Sequence, residues 1–107
     1  MTIAEIILQQ LGGNRFIAMT GSYHFVGDRD SLTMTLRRNK SKANRLKITL
    51  TAMDDYTIEF FRQTDAHFTK NYEWKEGTRT TVKKLDGIYC DQLEEIFENV
   101  TGLVTHL

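Results

Sequence analysis

LTMTLRRNKSKANRLKITLT, residues 32–51, carries the pattern that decides the fold. Leu32, Met34 and Leu36 alternate with Thr33, Thr35 and Arg37, and Leu46, Ile48 and Leu50 alternate with Lys47, Thr49 and Thr51. A period of two, apolar against polar, marks a strand with one buried face and one wet face. Between the two strands the charge is one-sided. Arg37, Arg38, Lys40, Lys42, Arg45 and Lys47 fall within residues 37–47 with no acidic residue among them, although the whole chain holds 14 basic and 14 acidic residues. The pattern predicts two antiparallel strands joined by a basic loop whose ends lie on the solvent face of the sheet.

On the C-terminal side, Asp54-Asp55 predicts a turn and YTIEFFRQ, residues 56–63, a strand with Tyr56, Ile58 and Phe60 inward. HFTKNYEWK and TRTTVKKL flank Glu76-Gly77, which has the look of a hairpin turn; residues 64–80 are either that hairpin or a mobile insertion. Further on, Tyr89, Leu93, Ile96, Phe97 and Val100 recur as one stripe of an amphipathic helix, with Asp91, Glu94, Glu95 and Glu98 mostly off it. Gly102 suits the left-handed residue that ends a helix, with Leu103 folding back in a Schellman ending. On the N-terminal side, Thr2 and Glu5 fit a capping box for a helix over residues 2–11, which Gly12-Gly13 would end. RFIAMT, residues 15–20, is apolar on both alternating faces and predicts an interior strand; GSYHFVGDRDS after it predicts a loop.

Together these give one α+β domain over residues 1–107: an antiparallel sheet of about five or six strands with N- and C-terminal helices packed on one face. The other face should show threonines and basic side chains. A chain of 107 residues buries a core without metal or disulfide staples, and the single cysteine, Cys90, excludes an intramolecular disulfide framework. The N-terminal stretch MTIAEIILQQLGG lacks a basic region and carries Glu5 in its apolar run, so it does not match a signal peptide. No apolar run reaches the length of a bilayer span. The expectation is a cytoplasmic protein with no membrane partner.

LGGNRFIAMTG at 11–21 and DGIYCDQLEEIFENVTGLVTHL at 86–107 resemble the ends of a group of small uncharacterised proteins from bacteriophages, prophages and other mobile elements. The likeness covers most of the chain in order, with residues 64–79 as an addition. The group implies a mobile-element setting and no assigned activity. In element order alone, a sheet followed by a C-terminal helix is similar to single-strand-binding transcription cofactors and Whirly proteins; the extra N-terminal helix departs from that order.

The basic loop is the candidate site. Lysines and arginines held at the spacing of successive phosphates release counterions on contact, and threonine hydroxyls add hydrogen bonds. Tyr23, Phe25, Tyr72 and Trp74 are candidate platforms for unstacked bases. The partner is then single- or double-stranded nucleic acid, bound without catalysis and without a cofactor. The alternative is a protein–protein or dimerisation module that uses the acidic last helix or a sheet edge. Asp54 with Glu73-Trp74-Lys75 loosely matches a magnesium-dependent nuclease pattern, which requires the two carboxylates to converge. His24, His67 and His106 lack metal-ligand spacing, and Cys90 suits a small residue packed at a helix start better than a nucleophile.

Overall fold

The computed structural model describes residues 2–105. Helix α1 (Ile3–Leu11) begins at Thr2, whose Oγ1 accepts from the Glu5 amide at 3.1 Å; the Glu5 carboxylate accepts from the Thr2 hydroxyl rather than from the backbone. Gly12 and Gly13 end α1 as expected, but residues 15–20 are not a strand. They lie in a second helix, α2 (Asn14–Thr20), of which Phe16 and Thr20 are the buried pair. That spacing of four is helical, and the Thr20 hydroxyl donates back to the Phe16 carbonyl at 2.8 Å.

The strands follow as β1 (Tyr23–Gly27), β2 (Ser31–Thr35), β3 (Arg45–Leu50), β4 (Tyr56–Thr64), β5 (His67–Phe68), β6 (Trp74–Lys75) and β7 (Thr78–Ile88). β1 occupies the segment expected to be a loop. Its ladder with β2 is interrupted between Tyr23 and Val26, where His24 takes a φ of 52°, so it shows no clean alternation. The main sheet is antiparallel, in the order β1-β2-β3-β4-β7. The hairpin in residues 64–80 is built differently from the expectation. β5 pairs with β6 around a turn closed by Thr69 N–H donating to Glu73 O at 2.8 Å, and Glu76-Gly77 only connects β6 to β7. This small hairpin extends the β4–β7 ribbon beyond the body of the sheet.

A 3-10 turn (Cys90–Gln92) leads into helix α3 (Leu93–Thr101). Leu93 and Phe97 are buried, and Ile96 and Val100 pack against the core. Tyr89 does not join that stripe: it sits in extended backbone before the turn and is exposed. Gly102 ends α3 at φ 75°, donating to Glu98 O at 2.8 Å, while the Leu103 amide goes to the Thr101 hydroxyl, so the ending is the simpler left-handed cap rather than a Schellman motif.

The helices cover one face of the sheet. Ile7 and Leu11 of α1, Phe16 of α2 and Leu93 and Phe97 of α3 meet Leu32, Met34, Leu46, Ile48, Ile58 and Phe60 in one apolar cluster. Phe97 is its hinge point, with ring centroids 4.9 Å from Phe16 and 6.5 Å from Phe60. At the margin, the Tyr56 hydroxyl donates to Gln10 Oε1 at 2.6 Å. Burial raises the Tyr56 pKa above the usual 10.0, the Gln10 bond opposes this and the nearby Cys90 adds to it. The unfolded chain therefore loses this proton first as pH rises. Stability should be complete below about pH 10 and fall as pH climbs through the higher folded value. Urea midpoints measured across that range should fall less for Tyr56→Phe than for the wild type; parallel curves would remove Tyr56 as the cause.

Candidate nucleic-acid interface

The segment between β2 and β3 is hydrogen-bonded at its ends and within. Leu36 and Ala43 are buried at its two ends, and Leu36 N–H donates to Asn44 O at 2.9 Å, extending the ladder. Inside that frame Asn39 acts as the organiser. Its Nδ2 donates to Arg37 O at 2.8 Å and Ala43 O at 2.9 Å, and its Oδ1 accepts from the Ser41 amide at 3.0 Å and from the Ser41 hydroxyl. Lys42 takes a left-handed φ of 66°, which closes the turn.

Neighbouring elements fasten this loop from three sides. From β4, Asn44 and Gln63 exchange two bonds of 2.8 Å, and Arg62 Nη1 donates to Lys42 O at 2.9 Å. From α3, Thr101 O accepts the Lys40 amide at 3.1 Å, and the Lys40 stem lies along Gly102, where a Cβ would come within 3.1 Å of Lys40 Cδ. From the end of α2, Gly21 O accepts from Arg37 Nε at 3.1 Å, and the Arg37 guanidinium carbon stands 4.5 Å from the Tyr23 ring centroid. Gly21, at φ 68°, is needed there, since a Cβ would lie 2.9 Å from Arg37 Cγ.

The outcome is a concavity of about 780 Å³ ringed by Arg37, Arg38, Lys40, Lys42 and Arg62, and no carboxylate lines it. Four of the six basic residues singled out by sequence are brought together here. The other two, Arg45 and Lys47, belong to β3 and stand half-buried on the outer face of the sheet, opposite Phe61 and Glu59 respectively. Arg62 was missed. It is far from the loop in sequence and enters only through the β3–β4 register; alternation along β4, which puts Arg62 on the same face as Phe60, was the one available signal.

The aromatic candidates separate in the same way. Tyr23 lies under Arg37, at the rim. Phe25 packs against the core and offers no platform. Tyr72 and Trp74 are exposed on the small β5–β6 hairpin, where Trp74 stacks edge-on with Phe68 at 4.9 Å. Asp54 and Glu73 do not converge: one is in the turn before β4, the other in the hairpin beyond its far end, so β4 separates them by roughly 30 Å at ~3.3 Å per residue. The nuclease pattern therefore has no geometric basis in this pair. Cys90 is exposed rather than packed. Among the described residues no group of three or more His, Cys, Asp or Glu side chains gathers, and His106 lies outside them. The acidic helix spends part of its charge internally: Glu94 pairs with Arg15 at 3.4 Å, and Glu98 accepts from the Thr105 amide at 3.0 Å and hydroxyl at 2.6 Å. Among the described residues no helix is long and apolar enough to cross a membrane.

Comparison with protein-family models, curated proteins and solved structures returns no match.

Proposed function

We propose that the protein is a non-enzymatic nucleic-acid-binding or accessory protein whose basic loop captures backbone phosphates. One observation carries this reading: Arg37, Arg38, Lys40, Lys42 and Arg62 converge on a single concave surface that no carboxylate enters. Like charges held together repel, so a fold that fixes the backbone of such a loop by an asparagine and two neighbouring elements favours an anion in the middle. Phosphate oxygens fit the arginine forks and the lysine point charges. Neutral net charge means that attraction is local to this surface, without a broad basic field around the molecule. The sequence resemblance of residues 11–21 and 86–107 supports a mobile-element setting, and the single cysteine, Cys90, fits a cytoplasmic one.

Fluorescence anisotropy with labelled single- and double-stranded oligonucleotides across a salt series tests the reading. Affinity should fall linearly in log salt. The triple variant Arg38→Ala, Lys40→Ala, Lys42→Ala removes three contacts, so its slope should be shallower by about 2 to 3, at roughly 0.7 per phosphate for single strands and 0.9 for duplex. Unchanged binding by the folded triple variant would show that the loop is not the site.

A further inference from the structure

We infer that the interface continues from the loop onto the outer face of the sheet and that this face takes a single strand, with Arg79 as a base-stacking platform. The inference rests on the phosphate-binding reading of the loop and extends it to residues of β7. The chain itself joins the two surfaces, since Asn44 of the loop is followed directly by Arg45 on the outer face.

Cross-strand register defines the face. Arg45 stands opposite Phe61, and Phe61 opposite Thr81; in the next row Lys47 stands opposite Glu59, and Glu59 opposite Lys84. Phe61 points away from the helices and lies outside the main apolar cluster, yet only 2% of it is exposed. Its cover is the Arg79 guanidinium, whose carbon is 3.9 Å from the ring centroid. Glu59 tethers that guanidinium, accepting from Arg79 Nη2 at 2.9 Å through one oxygen and from the Thr81 hydroxyl at 2.8 Å through the other. One side of the guanidinium therefore faces Phe61. The other faces solvent, and half of the Arg79 side chain is exposed.

Such a plane suits an unstacked base, which packs on guanidinium groups as it does on aromatic rings. A duplex keeps its bases stacked on one another and cannot use it. Charge complementarity points to the same occupant. Arg45, Lys47, Arg79 and Lys84 line the face, against Glu59 and Asp86, and both carboxylates already accept hydrogen bonds, Asp86 from the Thr57 hydroxyl at 2.9 Å. A polyanion laid across β3, β4 and β7 would meet ammonium groups on both sides of Glu59 and the stacked guanidinium beside them.

The test uses labelled oligothymidylate and oligouridylate of about 12 nucleotides, within the usual site size of one domain, and a duplex of the same length. Both single strands should bind, because phosphates and π-faces are common to DNA and RNA. Arg79→Lys keeps the charge but removes the plane. It should weaken single-strand binding roughly tenfold, leave the salt slope as it was and leave duplex binding unaltered. Lys47→Ala with Lys84→Ala should lower the single-strand salt slope by about 1.4, two contacts at about 0.7 each. Wild-type binding by both of these variants, while the loop triple variant still loses affinity, would overturn the outer-face inference and leave the loop reading intact. Wild-type binding by the loop triple variant as well would overturn both.

Discussion

Phe97→Ala should destabilise the protein by about 3–5 kcal/mol, the usual cost of truncating a fully buried phenylalanine. Phe97 is 1% exposed and holds α3 to two different partners, Phe16 of the second helix and Phe60 of the central sheet. Truncation removes an edge-to-face pair and leaves a cavity that three elements would have to close together. A domain of this size is stable by only about 5–15 kcal/mol, so at least about a fifth of the total is at stake. The consequence reaches the candidate site, because the Thr101 carbonyl that anchors the Lys40 amide is one turn along the same helix. Equilibrium urea unfolding checks the prediction. A loss under about 1 kcal/mol would mean that α3 is not seated on the core as described. Phe97→Leu, which keeps most of the volume, should cost less than half as much as Phe97→Ala.

Much of this arrangement was legible in the sequence where one period dominated. The alternation of Leu32, Met34, Leu46 and Ile48 located β2 and β3 and their buried face, and the Leu93–Phe97 spacing located α3. Segments too short to show a period were not legible. In residues 15–20, Phe16, Ile17 and Thr20 suit a strand by propensity, and a run of six apolar-rich residues fits either period. What decides for a helix is tertiary: Phe16 packs on Phe97, and the turn at Gly21 is needed to bring Tyr23 under Arg37. β1 was hidden for the opposite reason. Its irregular register breaks the alternation, and glycines at both ends resemble loop residues. For the site, local charge found the loop, but charge clusters carry no information about what crosses from other strands. Arg62 joins the concavity, and Arg79 the outer face, only once β4 is paired with β3 and β7. Asn39 carried no signal at all, being one polar residue among many in a polar loop.

That asparagine supports the second large prediction. Asn39→Ala should weaken oligonucleotide binding about tenfold or more while costing only ~1–3 kcal/mol of stability. Its amide group closes four hydrogen bonds, to Arg37 O, to Ala43 O and from both donors of Ser41, and none of them reaches the helix–sheet core. Without them the backbone from Arg37 to Ala43 keeps its outer ties, the Lys40 amide to Thr101 O and Arg62 to Lys42 O, but loses the inner ones that fix the directions of Arg38, Lys40 and Lys42 relative to one another. The charges remain but their common focus does not, and binding must then supply the ordering entropy of several residues at about 1–2 kcal/mol each. Asn39→Asp separates geometry from charge. It keeps the acceptor oxygen, leaves Arg37 O and Ala43 O without their donor and adds a negative charge to a surface that has none. Its affinity should therefore fall further than that of Asn39→Ala, and the gap between the two should narrow at high salt, where the added charge is screened. Amide hydrogen exchange at Ser41, Lys42 and Ala43 reports the loop directly and should quicken in both variants. If exchange quickens and affinity holds, the loop acts as a flexible basic tether and its folded shape is irrelevant to binding; if exchange is unchanged, Asn39 does not hold the loop and the loss has to be sought elsewhere.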